Sequence, residues 1–413
     1  MNLFVGIDVS SKKLDVCFLD SDGLVFNEVS LGNDIFGAST IKDEVLKLHS
    51  EHQFNKIVIG MESTSVYSHH PSTYLHEDDE LKALGIVSVV VQNPKAIHRY
   101  ANIFDEDKTD TMDALHIADF LRMGRYKTSV LKEEKYNALQ RLTRSRFQLI
   151  QQLTECKMHF LENLYYKCNT LVKELKEETS TTAFSAALMD IFTDSLTLDE
   201  IAAMELEHLV ALLQEKGRGR FADPEKLAKT IQKAIRGSYR LGQMMQESVD
   251  IILAMYADMI KTLSKQVKSL DKSIERLIEA IPEADCLRSV PGIGPVYAAG
   301  IIAEIGQIER FSDDTKIAKY AGFHWKRKQS GDFEASRTPL SRNGNRYLRY
   351  YLVEAANSVK MREPVYNAFY YKKYAEVPKH QHKRALVLTA RKLVRLVDVL
   401  LRNRQLYTPQ RSG

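Results

Sequence analysis

The first 130 residues alternate short apolar runs with amphipathic segments, which is the pattern of a sheet flanked by helices. Strands are predicted at 3–8, 14–20, 24–30, 56–61 and 86–91, and a helix over 34–52. Asp22-Gly23 between the second and third strands is typical of a hairpin turn. We therefore expect a mixed α/β sheet, then a polar loop over 92–107 and a helix begun by K-T-D-T-M-D-A (Lys108–Ala114).

From about residue 134 the apolar positions recur at steps of three and four. Two such stretches lack internal proline and glycine; their apolar positions are Leu142, Leu149, Leu153, Cys156, Phe160, Leu164, Cys168, Leu171 and Leu175, then Val249, Ile252, Tyr256, Met259, Leu263, Val267, Leu270, Ile274 and Leu277. They predict two long helices that pair as an antiparallel coiled-coil arm. The insert over about 179–242 predicts small helices, one of them with a capping box at Thr197 and Glu200.

A third unit begins near Pro282 and opens with S-V-P-G-I-G-P-V-Y-A-A-G. A glycine-rich hairpin before a helix of small apolar residues is the pattern of a helix-hairpin-helix element. Its backbone N–H groups, at Gly292 and Gly294, would then hold a phosphate without reading sequence. The alternative is a packing turn that allows close helix contact. The pattern divides the chain into 1–130, 131–281 and a mainly helical 282–413.

Composition excludes several classes of protein. No run of about 18 apolar residues exists, so we expect no transmembrane helix and no membrane partner. The N-terminus M-N-L-F-V-G-I-D lacks the features of a signal peptide. The four cysteines are scattered without a CxxC pair, which argues against a zinc site or a disulfide framework and fits a reducing, cytoplasmic compartment.

The net charge of +4 conceals an uneven distribution. Residues 316–413 carry 22 Lys and Arg against 6 Asp and Glu, a net charge of +16, and the remainder carries −12. A strongly basic C-terminal quarter indicates a polyanionic partner, most simply nucleic acid, rather than merely a solvated basic surface.

Four carboxylates occupy positions where they would converge. Asp8 and Glu62 each end an apolar strand, and Asp110 and Asp113 lie one turn apart at a helix start. Alone, each has an ordinary explanation as a turn residue or a helix-terminal acid. Together, four uncompensated charges would be strongly destabilising, so their convergence predicts a Mg²⁺ or Mn²⁺ site. With a nucleic-acid partner, such a site indicates phosphoryl transfer.

A second candidate centre lies in the basic region. Ser330 precedes a glycine and follows Lys326, Arg327 and Lys328, so it is a candidate nucleophile toward phosphate, although most such serines are turn residues. Arginines at steps of four and three would clamp phosphates from one helical face: Arg342, Arg346 and Arg349. We expect Ser341 to cap the helix that carries them.

These motifs, in this order and spacing, resemble those of one family. They are G-I-D-V-S-S-K-K-L-D-V (Gly6–Val16), G-M-E-S-T-S-V-Y (Gly60–Tyr67), N-P-K (Asn93–Lys95), K-T-D-T-M-D-A, V-P-G-I-G-P (Val290–Pro295), A-G-F (Ala321–Phe323), Q-S-G (Gln329–Gly331) and S-R-N-G-N-R-Y-L-R (Ser341–Arg349). Over nearly the whole chain, the sequence resembles the IS110-type transposases, also called bridge-RNA-guided recombinases.

The resemblance implies an RNase H-like (RuvC-like) domain whose four acids correspond to Asp8, Glu62, Asp110 and Asp113. It implies a C-terminal transposase domain in which Ser330 attacks DNA to form a phosphoserine intermediate, with the metal site assisting. It also implies that a structured RNA pairs with donor and target DNA. Each active site would combine halves from different subunits of a dimer or tetramer. Lys108 is a further expected nucleic-acid contact.

The chain departs from the family pattern in two places: E-S-T-S (Glu62–Ser65) stands for the common E-A-T-G, and G-F-H-W (Gly322–Trp325) for G-L-T-P. Neither touches the catalytic residues. The alternatives are a metal-only RuvC-like nuclease with a structural Ser330, a sugar-kinase or actin-like ATPase, and a non-enzymatic helix-hairpin-helix protein. Against an ATPase, the chain lacks a second glycine-rich signature. A non-enzymatic DNA-binding protein would leave the four acids unexplained.

Overall fold

The computed structural model describes residues 1–63, 66–103, 110–124, 126, 132–193, 196–325, 329–330, 333–334, 340–341 and 343–409. The chain divides into two compact units, Met1–Glu133 and Glu134–Gly413. Across the described ranges, no helix combines the length and the apolarity needed to cross a membrane.

The N-terminal unit is built on a five-stranded mixed sheet of order β3-β2-β1-β4-β5. Its strands are β1 (Asn2–Val9), β2 (Lys13–Asp20), β3 (Val25–Gly32), β4 (Lys56–Glu62) and β5 (Val87–Gln92), and its helices are α1 (Ile35–His52), α2 (His69–Glu77), α3 (Asp79–Ala83), α4 (Pro94–Ala101) and α5 (Asp110–Arg122). The first three strands pair antiparallel, and β1, β4 and β5 pair parallel. The predicted strands, the α/β class and the first helix are confirmed.

The two faces of the sheet bury different side chains because strand residues alternate. One face, with Val5 and Ile7 on β1, packs against Ile41 and Val45 of α1. The opposite face carries Phe4 on β1 and buries it together with α4 and α5; its other buried members are Cys17, Leu19, Val58, Val90, Ile97, Ala114, Ile117, Ala118, Phe120 and Leu121. A sheet covered on both faces accounts for the near-continuous apolar runs of β1 and β4.

The predicted polar loop over 92–107 is wrong in part, because α4 lies within it. Asn93 caps α4 by accepting a 2.9 Å hydrogen bond from the Lys95 N–H, and Pro94 occupies the first helical position. Tyr100 on α4 donates a hydrogen bond to Asp119 on α5. Burial, reinforced by this bond, raises the pKa of Tyr100 to about 12, so the phenol stays a donor.

The C-terminal unit is helical apart from two short strands among its described residues. Its elements are α6 (Glu134–Lys167), α7 (Leu171–Glu178), α8 (Ala186–Thr193), α9 (Leu198–Ala203), α10 (Leu206–Gly217), α11 (Pro224–Arg236), α12 (Gln243–Ile278), α13 (Glu283–Arg288), α14 (Pro295–Ile305), a 3-10 turn (Ile308–Arg310), α15 (Asp314–Ala321), β6 (Gln329–Ser330), β7 (Phe333–Glu334), α16 (Arg346–Val359), α17 (Pro364–Ala375) and α18 (Gln381–Asn403).

The long helices α6 and α12 pair in opposite directions. Arg146 near the start of α6 bonds Asp271 near the end of α12, at 2.5 Å, whereas His159, later on α6, stacks on Tyr256, earlier on α12. Their apolar residues divide between two cores at opposite ends of the pair. Leu139 and Ile274 belong to the core shared with α13–α18, and Phe160 and Val249 to the core of the helical insert.

Two predicted details of this unit have different outcomes. The predicted stripe through Leu175 is not one helix, because α6 ends at Lys167 and Leu175 lies on α7. Between the two helices the Thr170 hydroxyl donates to the Ala234 carbonyl of α11 at 2.7 Å, which ties this junction to the insert. The capping box at Thr197 and Glu200 is confirmed.

The predicted cap of the arginine helix is wrong. Asn345, not Ser341, caps α16, and its side chain accepts hydrogen bonds from the N–H groups of Tyr347 and Leu348. Ser341 is buried four residues earlier, outside the helix, and accepts from the Asn343 N–H. An asparagine caps as well as a serine, and here it is the residue that directly precedes helical backbone.

Candidate active-site elements

Asp8 and Glu62 lie at the ends of adjacent parallel strands. The register of β1 and β4 pairs Gly6 with Gly60 and Ile7 with Met61, so Asp8 and Glu62 follow side by side. Alternation puts both acids on the face that carries Phe4 and packs against α5. Both residues are partly exposed. Two carboxylates therefore project from one edge of the sheet, beyond the buried core.

The start of α5 lies at the same edge. Gly6 packs directly on this helix, because a Cβ at Gly6 would lie 2.2 Å from the Ala114 carbonyl oxygen and 2.3 Å from the Ala118 nitrogen. At the other end of α5, Arg122 reaches the carbonyl of Ser21, which bonds to Asn2 at the start of β1. The helix thus runs antiparallel to β1, and its first turn lies toward Asp8.

The first turn of α5 carries the two remaining predicted acids, Asp110 and Asp113. Asp113 is half-buried and immediately precedes Ala114, the residue against which Gly6 packs. Asp110 is the first residue of α5, one turn earlier. The sequence prediction that both aspartates open a helix is confirmed. Lys108 lies outside the described residues.

A fifth carboxylate, Asp15, escaped the sequence reasoning. The β1–β2 register pairs Asp8 directly with Asp15, which is 8% exposed and therefore lies on the same face as Asp8. Cys17, two residues on, shares this face, and burial raises its pKa to about 12, which keeps the thiol neutral. Like charges directly opposite each other destabilise a strand pair, so the pair favours a cation at this edge. We call Asp8, Asp15, Glu62 and Asp113 the carboxylate edge.

The donor chemistry of this edge suits a hard divalent cation, which prefers carboxylate oxygens. Among the described side chains, no three Asp, Glu, His or Cys residues already form a metal-ligand cluster. Asp110 is placed by the backbone of α5, and its side chain lies outside the described part of the chain. Its carboxylate would have to complete the ligand set.

Ser330 lies in a small β-ribbon in the other unit. β6 and β7 pair antiparallel, with Ser330 opposite Phe333. Before and after the ribbon, Trp325 pairs with Leu340, and the Ser341 N–H donates to the His324 carbonyl at 2.8 Å. We call β6 and β7 the serine ribbon, and the pairing of 324–325 with 340–341 its neck. Lys326, Arg327, Lys328 and Arg342 lie outside the described residues.

The two described arginines of the predicted clamp are placed differently. Arg346 is exposed, and its guanidinium lies 4.8 Å from the ring centre of Tyr347 and 5.8 Å from that of Phe147. Arg349 is half-buried, and its Nε donates to the Ala321 carbonyl at 2.9 Å. Arg346 is thus available to a phosphate or a base, whereas Arg349 ties α16 to the end of α15.

The glycine-rich hairpin before α14 has two different ends. Gly292 has φ +103° and packs on α16, since an added Cβ would lie 2.8 Å from the Val359 Cα. Close helix contact, one of the two alternatives for this hairpin, is therefore realised at Gly292. Gly294 precedes Pro295 at the start of α14, and an added Cβ there would meet no described atom within 4 Å. This end of the hairpin leaves room for a ligand.

Comparison with known proteins identifies the family from both ends of the chain. A DEDD-type family model of the IS110 group, described as "Transposase", matches residues 5–166. A second model, "Transposase IS116/IS110/IS902 family", matches residues 284–371. The first covers the carboxylate edge, and the second covers the serine ribbon and the start of α14. A DEDD transposase domain indicates dependence on a divalent metal ion in general.

Individual relatives agree with the family models. An uncharacterised protein of insertion element IS116 from Streptomyces clavuligerus is 26% identical over 333 residues, 78% of each chain. The mini-circle putative transposase for IS117 from Streptomyces coelicolor is 24% identical over 336 residues, 78% of this chain and 76% of the relative. A pilin gene-inverting protein from Moraxella bovis is 28% identical over 163 residues, 38% of this chain and 50% of the relative. The chain belongs to the IS110-type transposases, DNA-recombining enzymes of insertion elements.

Proposed function

We propose that this transposase cuts and rejoins DNA through a covalent phosphoserine at Ser330, assisted by a Mg²⁺ or Mn²⁺ site on the carboxylate edge. The observation that carries the metal half is the convergence of Asp8, Glu62 and the first turn of α5 on one edge of the sheet. Asp110 and Asp113 supply the remaining ligands, and Asp15 lies behind Asp8.

The residues of the carboxylate edge have different roles in this proposal. Bound metal would neutralise charge on the phosphate and stabilise the leaving oxygen. Asp8 and Glu62 hold their carboxylates on rigid strand ends, and α5 is fixed against Gly6, so little reorganisation is needed when a phosphate arrives. Asp15 opposite Asp8 raises the local negative charge and so the affinity for a cation.

The serine step exchanges one phosphodiester for another. The Ser330 Oγ attacks phosphorus, an Oγ–P bond forms, and the bond from phosphorus to one deoxyribose oxygen breaks. The hydroxyl proton of Ser330 passes to a base and, in net terms, to the departing oxygen. A hydroxyl from another strand then attacks the phosphoserine, and the proton returns to Ser330. No water or energy cofactor is consumed.

The DNA partners follow from the family, and their choice is the finer part of the proposal. We infer that a structured bridge RNA pairs with donor and target DNA, so that base pairing supplies the sequence choice and the protein contacts backbones. Exposed Arg346 and the open backbone at Gly294 are available for these contacts. Lys108, Lys326, Arg327, Lys328 and Arg342 are further expected contacts. Arg349 and Gly292, also expected from the sequence, instead bond the Ala321 carbonyl and pack on α16, respectively. The protein acts as a dimer or tetramer on cytoplasmic DNA, with the carboxylate edge and Ser330 of one centre drawn from different subunits. The functional division is 1–130, 131–281 and 282–413.

The decisive experiment is Ser330→Ala, with Ser312→Ala as the control. Ser312 is exposed in the same unit, and its hydroxyl bonds to the neighbouring Asp313. With Mg²⁺, DNA and a bridge RNA transcribed from the DNA that flanks the gene, Ser330→Ala is expected to abolish the protein–DNA adduct and strand exchange. Ser312→Ala is expected to retain both. Strand exchange by Ser330→Ala at the normal rate would overturn the assignment. Cleavage without an adduct in the unmodified protein would support a metal-only nuclease instead.

A further inference from the structure

Glu304 on α14 is a fully buried carboxylate surrounded by donors. Arg144 on α6 binds it with Nε to Oε1 at 2.7 Å and Nη2 to Oε2 at 2.9 Å. Gln140, one turn earlier on α6, adds a 3.0 Å bond to Oε2. Burial disfavours the charged guanidinium, but the bonds to Glu304 outweigh it and raise the pKa of Arg144. Three hydrogen bonds from Arg144 and Gln140 therefore fix the direction of this carboxylate.

A further donor connects this carboxylate to the start of α16. The Asn345 Nδ2 donates to Glu304 at 2.7 Å and to the Tyr320 hydroxyl at 2.9 Å. Its Oδ1 accepts from the N–H groups of Tyr347 and Leu348 as the helix cap. Both ends of the amide are thus committed, and a flipped amide would face Glu304 with an oxygen.

The same residue closes the base of the loop that carries Ser330. The Asn345 N–H donates to the Tyr320 carbonyl at 2.6 Å, which joins the residues after the ribbon to those before it. Gly344, at φ +138°, fits between, since an added Cβ would lie 2.6 Å from the Gly322 nitrogen. Trp325 and Leu340 pair just beyond this base, in the neck of the serine ribbon.

We propose that Glu304, acting through Asn345, is a positioning residue that fixes the base of the serine ribbon and so aims Ser330 at the scissile phosphate. This inference rests on the proposed role of Ser330. Donors from α6 and from the cap of α16 meet at the Glu304 carboxylate of α14, and Asn345 connects them to Tyr320 on α15. The ribbon itself has two short strands, so its direction is set by its base. Arg144 alone would suffice to neutralise Glu304. The additional bond from Asn345 connects the carboxylate to the base of the ribbon.

Asn345→Asp isolates this link. Aspartate is as good a helix cap as asparagine, so α16 keeps its start, but a second carboxylate now faces Glu304. A misplacement of about 1 Å lowers a reaction rate by about 100-fold, so we expect a loss of that order in the single-turnover rate of strand cleavage. DNA affinity is expected to stay within about twofold, because the arginines on the surface are unchanged.

Glu304→Gln combined with Asn345→Asp is the matched rescue. The double variant exchanges the amide and the carboxylate between the two positions, so an amide again donates to a carboxylate. The new amide keeps an oxygen toward the Arg144 Nε but loses the bonds that Oε2 accepts from the Arg144 Nη2 and Gln140, so the rescue is partial. At least about tenfold of the lost rate should return, since one charge-assisted bond is re-formed. Glu304→Gln alone leaves Arg144 without its carboxylate. Asp271→Asn is the control, because it breaks the comparable pair with Arg146 on the same helix without touching Asn345.

The only tryptophan in the chain provides a readout without catalysis. Trp325 is 37% exposed in the neck, so release of the ribbon base should shift its emission to longer wavelength and increase quenching by acrylamide. We expect this change in Asn345→Asp, its reversal in the double variant, and none in Asp271→Asn or Ser330→Ala.

The outcomes separate the two proposals. Normal cleavage and an unchanged Trp325 spectrum in Asn345→Asp would overturn the positioning role. Equal loss in the double variant and both single variants, with equally lowered melting temperatures, would also overturn it, because the network would then only stabilise the fold. If Ser330→Ala still forms the adduct while Trp325 responds as expected, the nucleophile assignment fails and with it the aiming of Ser330. The link from Glu304 through Asn345 to the ribbon base is then retained.

Discussion

The carboxylate edge and the serine ribbon are held in place in opposite ways. Asp8 and Glu62 end long strands whose backbones are bonded on both sides, and α5 packs on them with no side chain between at Gly6. Ser330 lies on a strand of two residues, and the base of its ribbon is fixed by side chains around Glu304. Regular structure holds the acids of the proposed metal site, and side chains around Glu304 hold the base of the ribbon that carries the proposed nucleophile.

The difference has an energetic consequence. Packing errors at the carboxylate edge act on a hydrophobic core and change the stability of the whole N-terminal unit. Errors at the ribbon base break a satisfied buried network, whose members depend on one another. Substitutions should therefore distinguish the carboxylate edge from the ribbon base. Some are expected to change the cleavage rate alone and some the stability alone. Others are expected to raise stability while they weaken catalysis.

The largest effect is expected from Glu62→Gln or Asp8→Asn. Either variant removes a negative ligand of the proposed metal site, and loss of one group that stabilises transition-state charge lowers a rate by up to about 1,000-fold. Strand cleavage at saturating Mg²⁺ measures this, and Asp43→Asn, on an exposed position of α1, is the control. The Trp325 spectrum should be unchanged, because the ribbon base is untouched. Cleavage within a few-fold of normal would remove these acids from the metal site.

Gly6→Ala should damage the edge through packing. Its Cβ would overlap backbone atoms of Ala114 and Ala118, which cannot move as a side chain would, so we expect destabilisation of about 3 kcal/mol. Hydrogen exchange should show lost protection in β1 and α5 and none in α14 or α16. Gly242→Ala, at an ordinary φ of −66° with no described atom within 4 Å of the added Cβ, serves as control. Unaltered protection in α5 would contradict the close approach.

Asp15→Asn should have smaller effects, and these should be opposite for stability and for metal affinity. Removing one of two facing charges is expected to stabilise the metal-free protein by up to about 1 kcal/mol. The Mg²⁺ concentration for half-maximal cleavage should rise about tenfold, as when a group behind a metal ligand is lost. Thermal unfolding in chelator and a Mg²⁺ titration measure the two. If metal-free stability falls instead, the Asp8–Asp15 repulsion is not significant.

Arg346→Ala should have the smallest effect. Loss of one phosphate contact weakens DNA binding and lowers the slope of log affinity against log salt by about 1. Cleavage at saturating DNA should be nearly normal. Arg402→Ala, which removes an arginine already paired with Asp398 at 2.6 Å, is the matched control. An unchanged salt slope would show that Arg346 does not meet a phosphate.

The N-terminal sheet could be predicted from the sequence because its signals are local. Each strand is an apolar or alternating run, and the acids at their ends were visible. Asp15 was within reach, since a short β1–β2 connection fixes the register that opposes it to Asp8. The α4 helix was also signalled, by a capping Asn93 before Pro94, but the polar residues around it favoured a loop.

The ribbon base could not be predicted in the same way. Glu304 stands in an apolar helix, and its partners Arg144 and Asn345 lie 160 and 41 positions away. Nothing local distinguishes such a glutamate from an exposed one. Ser341 looked like the cap because it precedes the arginine run, but the cap is Asn345, which also bonds to the distant Glu304.

The antiparallel pair of α6 and α12 sets a fixed distance within the C-terminal unit. Leu139, in the core beside α14, and Leu164, in the core of the insert, are 25 positions apart on one continuous helix. At 1.5 Å per residue they are separated by about 38 Å. This is close to one turn of duplex DNA, roughly 35 Å. The helical insert is therefore held about one turn of duplex DNA away from the core that includes the basic C-terminal quarter of the chain.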